Sequence, residues 1–321
     1  MEWERNARDV IENYTAVEEN DKTRRVLSAL IDHSPTLKGQ QNICKDIQEC
    51  LSKAEPDKPV STLLKELAEF YLNVMVLPMR AQGGRTPKTS DHPSRTLSME
   101  QEEMLNEMLI SQTKRDPHAV KSLALRRDGY RSSLSRLIDM PSVEAGLASR
   151  ENTDVYVAYT EAAHIIPFSL SKEGERSSKI WTTLENFSGM NLLTKLSGDN
   201  INWLGNMLTL SADEHRCFGQ MNGWLESVKG SPNTYVICGT LPYVGGLSDG
   251  AVVTFTTTDD LLELPDPRLI AIHTACAKIY RIKAAAEHVD RILRDLEELP
   301  VLREDGSSDV LNLALQSISV H

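Results

Sequence analysis

Glu161-Ala162-Ala163-His164-Ile165-Ile166-Pro167 and Gly205-Asn206-Met207-Leu208-Thr209-Leu210 are the two stretches that decide the fold of this chain. Each is a short, mainly apolar run of the kind that forms a buried strand, and each carries one conspicuous polar side chain, His164 or Asn206. A second histidine, His215, follows Asn206 by nine positions, beyond a helix cap at Ser211. The order predicts two strands and a helix that present three polar side chains.

The regions on either side of this centre are helical. Apolar residues recur at helical spacing through residues 1–80, for example Leu63, Leu67 and Phe70, and predict an N-terminal helical bundle. Residues 81–97 are rich in glycine, proline and polar residues, and predict a linker or mobile loop. A capping-box pattern at Ser98 and Gln101 then predicts a further helix.

The rest of the chain predicts a domain over residues 98–300 and a tail over residues 301–321. Asp116 and Pro117 open a helix that runs to about Arg127, and β-rich runs follow near residues 155–159, 235–238 and 252–256, with a turn at Gly245 and Gly246. An apolar stripe from Pro267 to about Leu299 predicts one long C-terminal helix. The predicted fold class is α+β, with helices around a small β-sheet.

Amino-acid composition and charge argue against several classes of protein. The chain has 321 residues, a net charge of -11 and five scattered cysteines without any Cys-x-x-Cys pair. A disulfide scaffold and a four-cysteine zinc site are therefore not expected. No apolar run is long enough to span a membrane, and the acidic N-terminus is unlike a signal peptide, so a cytoplasmic protein is predicted. The negative charge also disfavours general nucleic-acid binding.

The two stretches together resemble the HNH, or ββα-metal, nuclease motif. Further blocks, Leu125 to Arg131 and Leu264 to Leu269, look like parts of fungal HNH-domain proteins, so the resemblance covers roughly residues 115–298. It implies that His164 is the general base, that Asn206 positions the loop carrying it, and that His215 binds a divalent metal.

The motif departs from the family pattern at several positions. Ala163 stands where many HNH sites have an acidic or histidine ligand, which leaves Glu161 as the nearest second metal ligand. Related fungal sequences usually carry a cysteine and Thr-Gly after the Asp-Gly-Tyr-Arg block, whereas this chain continues with Ser132 and has no cysteine there. Phe218-Gly219 replaces the usual Phe-Asp. These changes indicate altered demands on the nuclease apparatus, with no metal expected.

The favoured hypothesis is therefore a metal-independent cyclase that catalyses an intramolecular [4+2] cycloaddition, as in a Diels–Alderase of fungal terpenoid biosynthesis, to which the chain is similar. Such a reaction needs an apolar pocket and one or two hydrogen-bond donors, but no cofactor. Its substrate would be a hydrophobic small molecule, bound by Ser132, Trp181, Trp203 and Phe218, with His164, Asn206 and His215 as the catalytic set.

Two alternatives stay open. The first is a DNA endonuclease that uses His164 as the base and Mg²⁺ bound by His215 and Glu161. Seven basic residues between Lys114 and Arg136, against two acidic ones, would contact its DNA. The second is a non-catalytic interaction protein whose N-terminal bundle binds a partner. The oligomeric state and the substrate are not determined by the sequence.

Overall fold

The computed structural model describes residues 1–19, 21–82, 117–149, 156–171, 175–196, 198–239 and 248–297. Helices dominate, and the strands are short and grouped in three small sheets. The α+β prediction is therefore confirmed. The predicted linker beyond Gln82, the helix after Ser98, the turn at Gly245 and the tail over residues 301–321 lie outside the described residues.

The N-terminal region is an assembly of helices whose apolar faces form one core. Val26, Leu27, Ile43, Ile47 and Leu64 are fully or almost fully buried in it. Its helices are α1 (Glu2–Glu12), α2 (Thr23–His33), α3 (Leu37–Ser52), α4 (Val60–Tyr71), a π-helical turn (Leu72–Val76) and α5 (Leu77–Gln82). The helical spacing of apolar residues predicted this bundle correctly.

The centre contains the predicted strand–strand–helix unit. Strand β3 (Thr160–His164) pairs antiparallel with β4 (Met207–Ser211), and the register places His164 opposite Met207. Ser211 ends β4 and caps the following helix (Ala212–Gly219) in a capping box with Glu214. The helix therefore leaves the sheet at a fixed point, and His215 occupies its first turn.

Shorter elements surround this unit. Strands β1 (Ile138–Asp139) and β2 (Val157–Ala158) pair in parallel, and β5 (Gly223–Ser227), β6 (Thr234–Gly239) and β7 (Val252–Thr254) form an antiparallel sheet. The intervening helices are α6 (Pro117–Arg127), α7 (Met140–Glu144), α8 (Glu175–Ser188), α9 (Leu193–Leu196) and α10 (Ala212–Gly219), with 3₁₀ turns at Phe168–Ser171, Gly198–Asn202 and Leu204–Asn206. Helix α6 begins at the proline that the sequence marked as its first residue.

The C-terminal stretch differs from the prediction of one long helix. It consists of α11 (Pro267–Tyr280) and α12 (Lys283–Glu297), which are separated at Arg281 and Ile282. No glycine or proline marks this break. Helix α11 buries residues on several faces, whereas α12 has one buried face, so the two helices pack differently and the apolar stripe alone could not show where one ends. Among the described residues, no helix combines the length and apolar character needed to cross a membrane.

The chain divides into two compact units. One contains Met1–Ala81, the short segment Asn186–Gly189 and the stretch from Lys278 onward. The other contains the described parts of Gln82–Glu185 and Met190–Ala277, and holds all the strands. Helix α12 packs on the π-helical turn of the first unit. The domain boundaries inferred from sequence stay predictions.

Candidate functional site

His164 ends β3 with its side chain almost fully buried, at 8% exposure. Its Nε2 lies 3.0 Å from Oδ1 of Asn202, and its Nδ1 has no hydrogen-bond partner among the described residues. Burial lowers the pKa of His164 to about 4, the hydrogen bond to Asn202 opposes this shift, and the nearby His215 adds to it. At neutral pH the imidazole is uncharged, donates from Nε2 to Asn202 and keeps the Nδ1 lone pair free.

Asn206 joins the loop before β4 to the loop after β3. Its Oδ1 accepts from the backbone N–H of Ile166 at 2.9 Å, and its Nδ2 donates to the carbonyls of Ile166 (3.1 Å) and Ile201 (3.0 Å). Asn206 is fully buried. Because Ile166 follows His164 by two residues, these bonds fix the backbone that carries the histidine.

Arg127 holds the same loop from the other side. Its guanidinium is fully buried, forms a bidentate pair with Asp128 at 2.8 Å, and donates to the carbonyls of Leu204 and Met207, both at 3.1 Å. Asp128 also accepts from Ser133 at 2.9 Å. Under the nuclease alternative the basic segment contacts DNA, but Arg127, one of its seven basic residues, uses its charge inside the protein, where several hydrogen bonds satisfy it.

His215 and Glu161 converge, although 54 residues separate them. Nδ1 of His215 lies 2.6 Å from Oε2 of Glu161; the histidine side chain is 4% exposed and the glutamate side chain 47%. The pair therefore faces outward through its carboxylate. Among the described residues there is no group of three or more histidine, cysteine, aspartate or glutamate side chains that could hold a metal.

This pair fits a divalent ion that keeps several water or substrate ligands. Mg²⁺ is commonly bound by one or two carboxylates together with substrate phosphates, and an imidazole also suits Mn²⁺ or Zn²⁺. The half-exposed carboxylate of Glu161 leaves room for those additional ligands. Ala163, in contrast, offers no donor at the position where the family often has one.

Glu214 is a buried residue whose role the sequence analysis did not identify. Its carboxylate accepts from the Ser132 hydroxyl at 2.7 Å, from the Ser211 N–H at 2.6 Å and from the Ser135 N–H at 3.0 Å. Glu214 and Ser132 are both fully buried. Ser132 therefore links the segment after α6 to α10, and its hydroxyl donates to the Glu214 carboxylate.

Each of the three aromatic residues predicted to line a substrate pocket contacts a different partner within the protein. The indole of Trp181 donates to the carbonyl of Leu170 at 3.0 Å, and that of Trp203 donates to the carboxylate of Glu263. Phe218 stacks on His273 with ring centroids 3.7 Å apart. Trp181 and Phe218 are buried. For Trp181 and Phe218 these contacts are those of a packed interior and give no support to a substrate surface, whereas Trp203 is partly exposed.

A family model described as an HNH endonuclease matches residues 143–222. The match spans β3, β4 and α10 with His164, Asn206 and His215, so this stretch is an HNH endonuclease domain. It is shorter than the region of resemblance inferred from sequence, and it supports neither the fungal resemblance nor that to a Diels–Alderase. No curated protein and no solved structure matched the chain.

Proposed function

We propose that the HNH endonuclease domain cleaves phosphodiester bonds in a reaction that depends on a divalent metal. The observation that carries this proposal is the position of His164, which is held at Nε2 by Asn202 and has an unpartnered Nδ1. A general base needs a neutral imidazole with a free lone pair and a fixed ring, and His164 meets these three conditions. Glu161, on the same strand as His164, and His215, on helix α10, would supply the metal ligands.

His164 would act on the attacking water. Nδ1 accepts a proton as the water oxygen bonds to phosphorus, and the bond from phosphorus to the leaving oxygen breaks. Asn202 stabilises the resulting imidazolium through Nε2–H. A pKa of about 4 makes a weak base, but a phosphodiester anion beside the ring favours the charged form and raises that pKa.

Glu161 and His215 would hold the metal, which supplies Lewis-acid stabilisation of negative charge on the leaving oxygen when it is bound. Asn206 and Arg127 keep the base in place by fixing the loops on both sides of it. These two residues are positioning residues, because their polar atoms are bonded to the protein backbone and are buried.

The cyclase hypothesis has weaker support. It required Ser132, Trp181 and Phe218 around a hydrophobic substrate, whereas the Ser132 hydroxyl is bonded to Glu214 and both aromatic rings are packed. A cycloaddition would also make no use of the Glu161–His215 pair. Conversion of a hydrophobic diene substrate in the presence of a chelator, without any nicking activity, would favour the cyclase over the nuclease.

The test is a supercoiled-plasmid nicking assay with Mg²⁺, Mn²⁺ or Zn²⁺, with and without chelator, alongside calorimetric titration of the same ions. We expect metal-dependent nicking by the wild type, and a loss of about 10²- to 10⁴-fold in H164A because it removes the base. E161Q should lower metal affinity while keeping a hydrogen bond to His215.

E144Q is the matched control, because Glu144 is an exposed glutamate of the same unit that lies outside the proposed site. It should nick like the wild type, and circular dichroism checks that each variant is folded. Nicking that is unaffected in folded H164A, or no nicking by the wild type with any of the three ions, would overturn the proposal.

A further inference from the structure

Asp139 is a buried aspartate that the proposed chemistry does not use. It ends β1 and caps the short helix α7, where its Oδ2 accepts from the N–H of Ser142 at 3.0 Å and from the Ser142 hydroxyl at 2.6 Å. One carboxylate oxygen is enough to cap a helix in this way. The other oxygen, Oδ1, is therefore available for a second role.

This second oxygen binds the residue that directly precedes Glu161. Oδ1 of Asp139 accepts from the Thr160 hydroxyl at 2.6 Å and from the Thr160 N–H at 3.2 Å, although 21 residues separate the two positions. Thr160 is buried and is the first residue of β3. Asp139 therefore holds the start of β3 by two hydrogen bonds, one to a side chain and one to the backbone.

The anchored residue lies opposite the cap of helix α10. The register of β3 and β4 pairs Thr160 with Ser211 at the end of their two-stranded ladder. Glu161 follows Thr160 along β3, and Ser211 caps the helix whose first turn carries His215. The position of the Thr160–Ser211 pair therefore determines where the chain leads into both residues of the Glu161–His215 pair.

A buried carboxylate holds each strand of this terminal pair. On β4, the Ser211 N–H donates to Glu214 at 2.6 Å, and Glu214 also accepts from Ser132. On β3, Asp139 holds Thr160 in the same manner. The ends of secondary-structure elements open most easily unless further contacts hold them. The two carboxylates thus fix an end of the ladder that would otherwise fray.

We propose that Asp139 is a positioning residue for the metal ligands: through Thr160 it fixes the backbone at Glu161, so that the Glu161 carboxylate meets His215. The inference rests on the proposed function, which assigns the metal to this pair. A half-exposed glutamate has many rotamers, and a fixed backbone limits where its carboxylate can lie. Loss of a group that orients a metal ligand typically costs about 10- to 100-fold in metal affinity or activity.

The candidate base does not depend on this anchor. His164 lies at the opposite end of β3 from Thr160. Asn202 holds its ring, and Asn206 holds the backbone just beyond it at Ile166. Loss of the bond between Asp139 and Thr160 should therefore weaken metal binding and leave the base in place.

Three variants separate the two roles of Asp139. T160V removes the Thr160 hydroxyl and keeps a side chain of similar shape, whereas T160S keeps the hydroxyl. S142A is the matched control, because it removes a hydroxyl that donates to the same carboxylate at the same distance, 2.6 Å, on the side of the helix cap. D139A loses the cap and the anchor together, so T160V is the decisive variant. Circular dichroism checks that each variant is folded.

The first measurements are calorimetric titration with Mg²⁺, Mn²⁺ and Zn²⁺ and the metal dependence of plasmid nicking. For each ion that the wild type binds, T160V should raise the Kd and the concentration for half-maximal nicking by about tenfold. Its rate at saturating metal should stay within about twofold of the wild type, and so should both quantities in T160S and S142A. Wild-type metal affinity in folded T160V, or an equal loss in S142A and T160V, would overturn the inference.

A second measurement needs neither metal nor activity, and separates this inference from the proposed function. Proton NMR of protein with ¹⁵N-labelled histidine, in chelator, detects the Nδ1 proton of His215, assigned by its absence in H215Q. Because this proton lies in a short hydrogen bond to Glu161, T160V should shift its signal upfield and S142A should not. If the wild type binds no ion and does not nick, the nuclease proposal fails, and a signal shifted in T160V alone still supports positioning by Asp139. If the wild type nicks and the T160V signal is unchanged, only the role of Asp139 is refuted.

Discussion

At the scale of single residues, an unpartnered nitrogen does not by itself identify a base. His273 also has a pKa that burial lowers to about 4 and an Nδ1 without a hydrogen-bond partner among the described residues. Its ring, however, stacks on Phe218, and its Nε2 bonds to the Phe218 carbonyl. His164 differs because the Glu161–His215 pair adjoins it, and because Asn202 and Asn206 hold it. Its surroundings make it a candidate base.

The role of Asn206 leads to a stability prediction. N206A removes three buried hydrogen bonds and leaves the N–H of Ile166 and the carbonyls of Ile166 and Ile201 without partners. Since each unsatisfied buried group costs about 1–3 kcal/mol, we expect the free energy of unfolding to fall by about 3 kcal/mol or more. Urea unfolding followed by circular dichroism measures this.

N222A is the control for this prediction. Asn222 belongs to the same unit, and its side chain donates to Gln220, two residues away, at 3.3 Å. Its substitution should change the free energy of unfolding by about 0.5 kcal/mol or less. Equal urea midpoints for N206A and N222A would show that the Asn206 side chain does not hold the loop.

At the scale of elements, the end of α8 is capped by side chains that are distant in sequence. Carbonyls at the C-terminus of a helix have no partner within it. Here Asn42 donates to the carbonyl of Asn186 at 2.9 Å, Ser34 to that of Phe187 at 2.7 Å, and Thr36 to that of Ser188 at 2.6 Å. The three donors come from α3 and the residues before it, so this segment belongs to the unit of the N-terminal bundle.

Gly39 in α3 allows this contact. We expect its substitution by alanine to lower the free energy of unfolding, which is opposite to the usual effect of this change within a helix. Within a helix, glycine to alanine normally stabilises by about 0.5–1 kcal/mol. A Cβ at position 39 would lie 2.1 Å from the Phe187 carbonyl oxygen and 2.8 Å from the Ser188 carbonyl carbon. We therefore expect G39A to lower the free energy of unfolding by about 1–3 kcal/mol.

K45A provides the comparison on the same helix, because Lys45 is exposed and alanine favours helix. Its free energy of unfolding should stay within about 0.5 kcal/mol of the wild type. Thermal unfolding of G39A, K45A and the wild type in parallel measures the difference. A G39A protein that is more stable than the wild type would mean that the close approach of α3 to Phe187 does not exist in solution.

Sequence patterns predicted correctly where a helix begins when the signal is a residue at the helix start itself. Pro117 opened α6 and Ser211 capped α10 as predicted, since both signals act within a few residues. The break at Arg281 was missed because packing causes it. For the candidate site, spacing indicated His164, Asn206 and His215 but could not show that Glu161 meets His215, which depends on strand register.

At the scale of the whole molecule, buried histidines lie in both compact units. His164 and His273 belong to one unit and His288 to the other. In the unit that contains the N-terminal bundle, His288 Nε2 lies 2.8 Å from Asn73 Oδ1, and its Nδ1 lies 3.0 Å from the Lys22 ammonium. Burial chiefly, with help from the charges of Lys22 and Arg291, lowers the pKa of His288 to about 4.

These shifts make the stability of the protein sensitive to acid. A histidine with a pKa of 6.5 in the unfolded chain and about 4 in the fold binds its proton more readily when unfolded. Its stabilising contribution is complete above pH 6.5 and is lost as the pH falls toward 4, at up to about 1.4 kcal/mol per pH unit for each histidine. Asp46, whose pKa burial raises, acts in the opposite direction.

We therefore expect the free energy of unfolding to fall steeply between pH 6.5 and pH 4.5. The slope corresponds to nearly three protons taken up on unfolding, one for each histidine, and Asp46 reduces it.

The variant H273Q tests the contribution of one of these histidines. It keeps a donor for the Phe218 carbonyl and removes one titrating group. Whatever its stability at pH 7.5, it should lose about 2–3 kcal/mol less than the wild type on acidification to pH 4.5. Urea unfolding at both pH values measures this double difference, and H33Q, at a partly exposed histidine, is the control. If H273Q and the wild type lose equal stability, His273 binds its proton equally well in the folded and unfolded chains, and its burial does not lower its pKa.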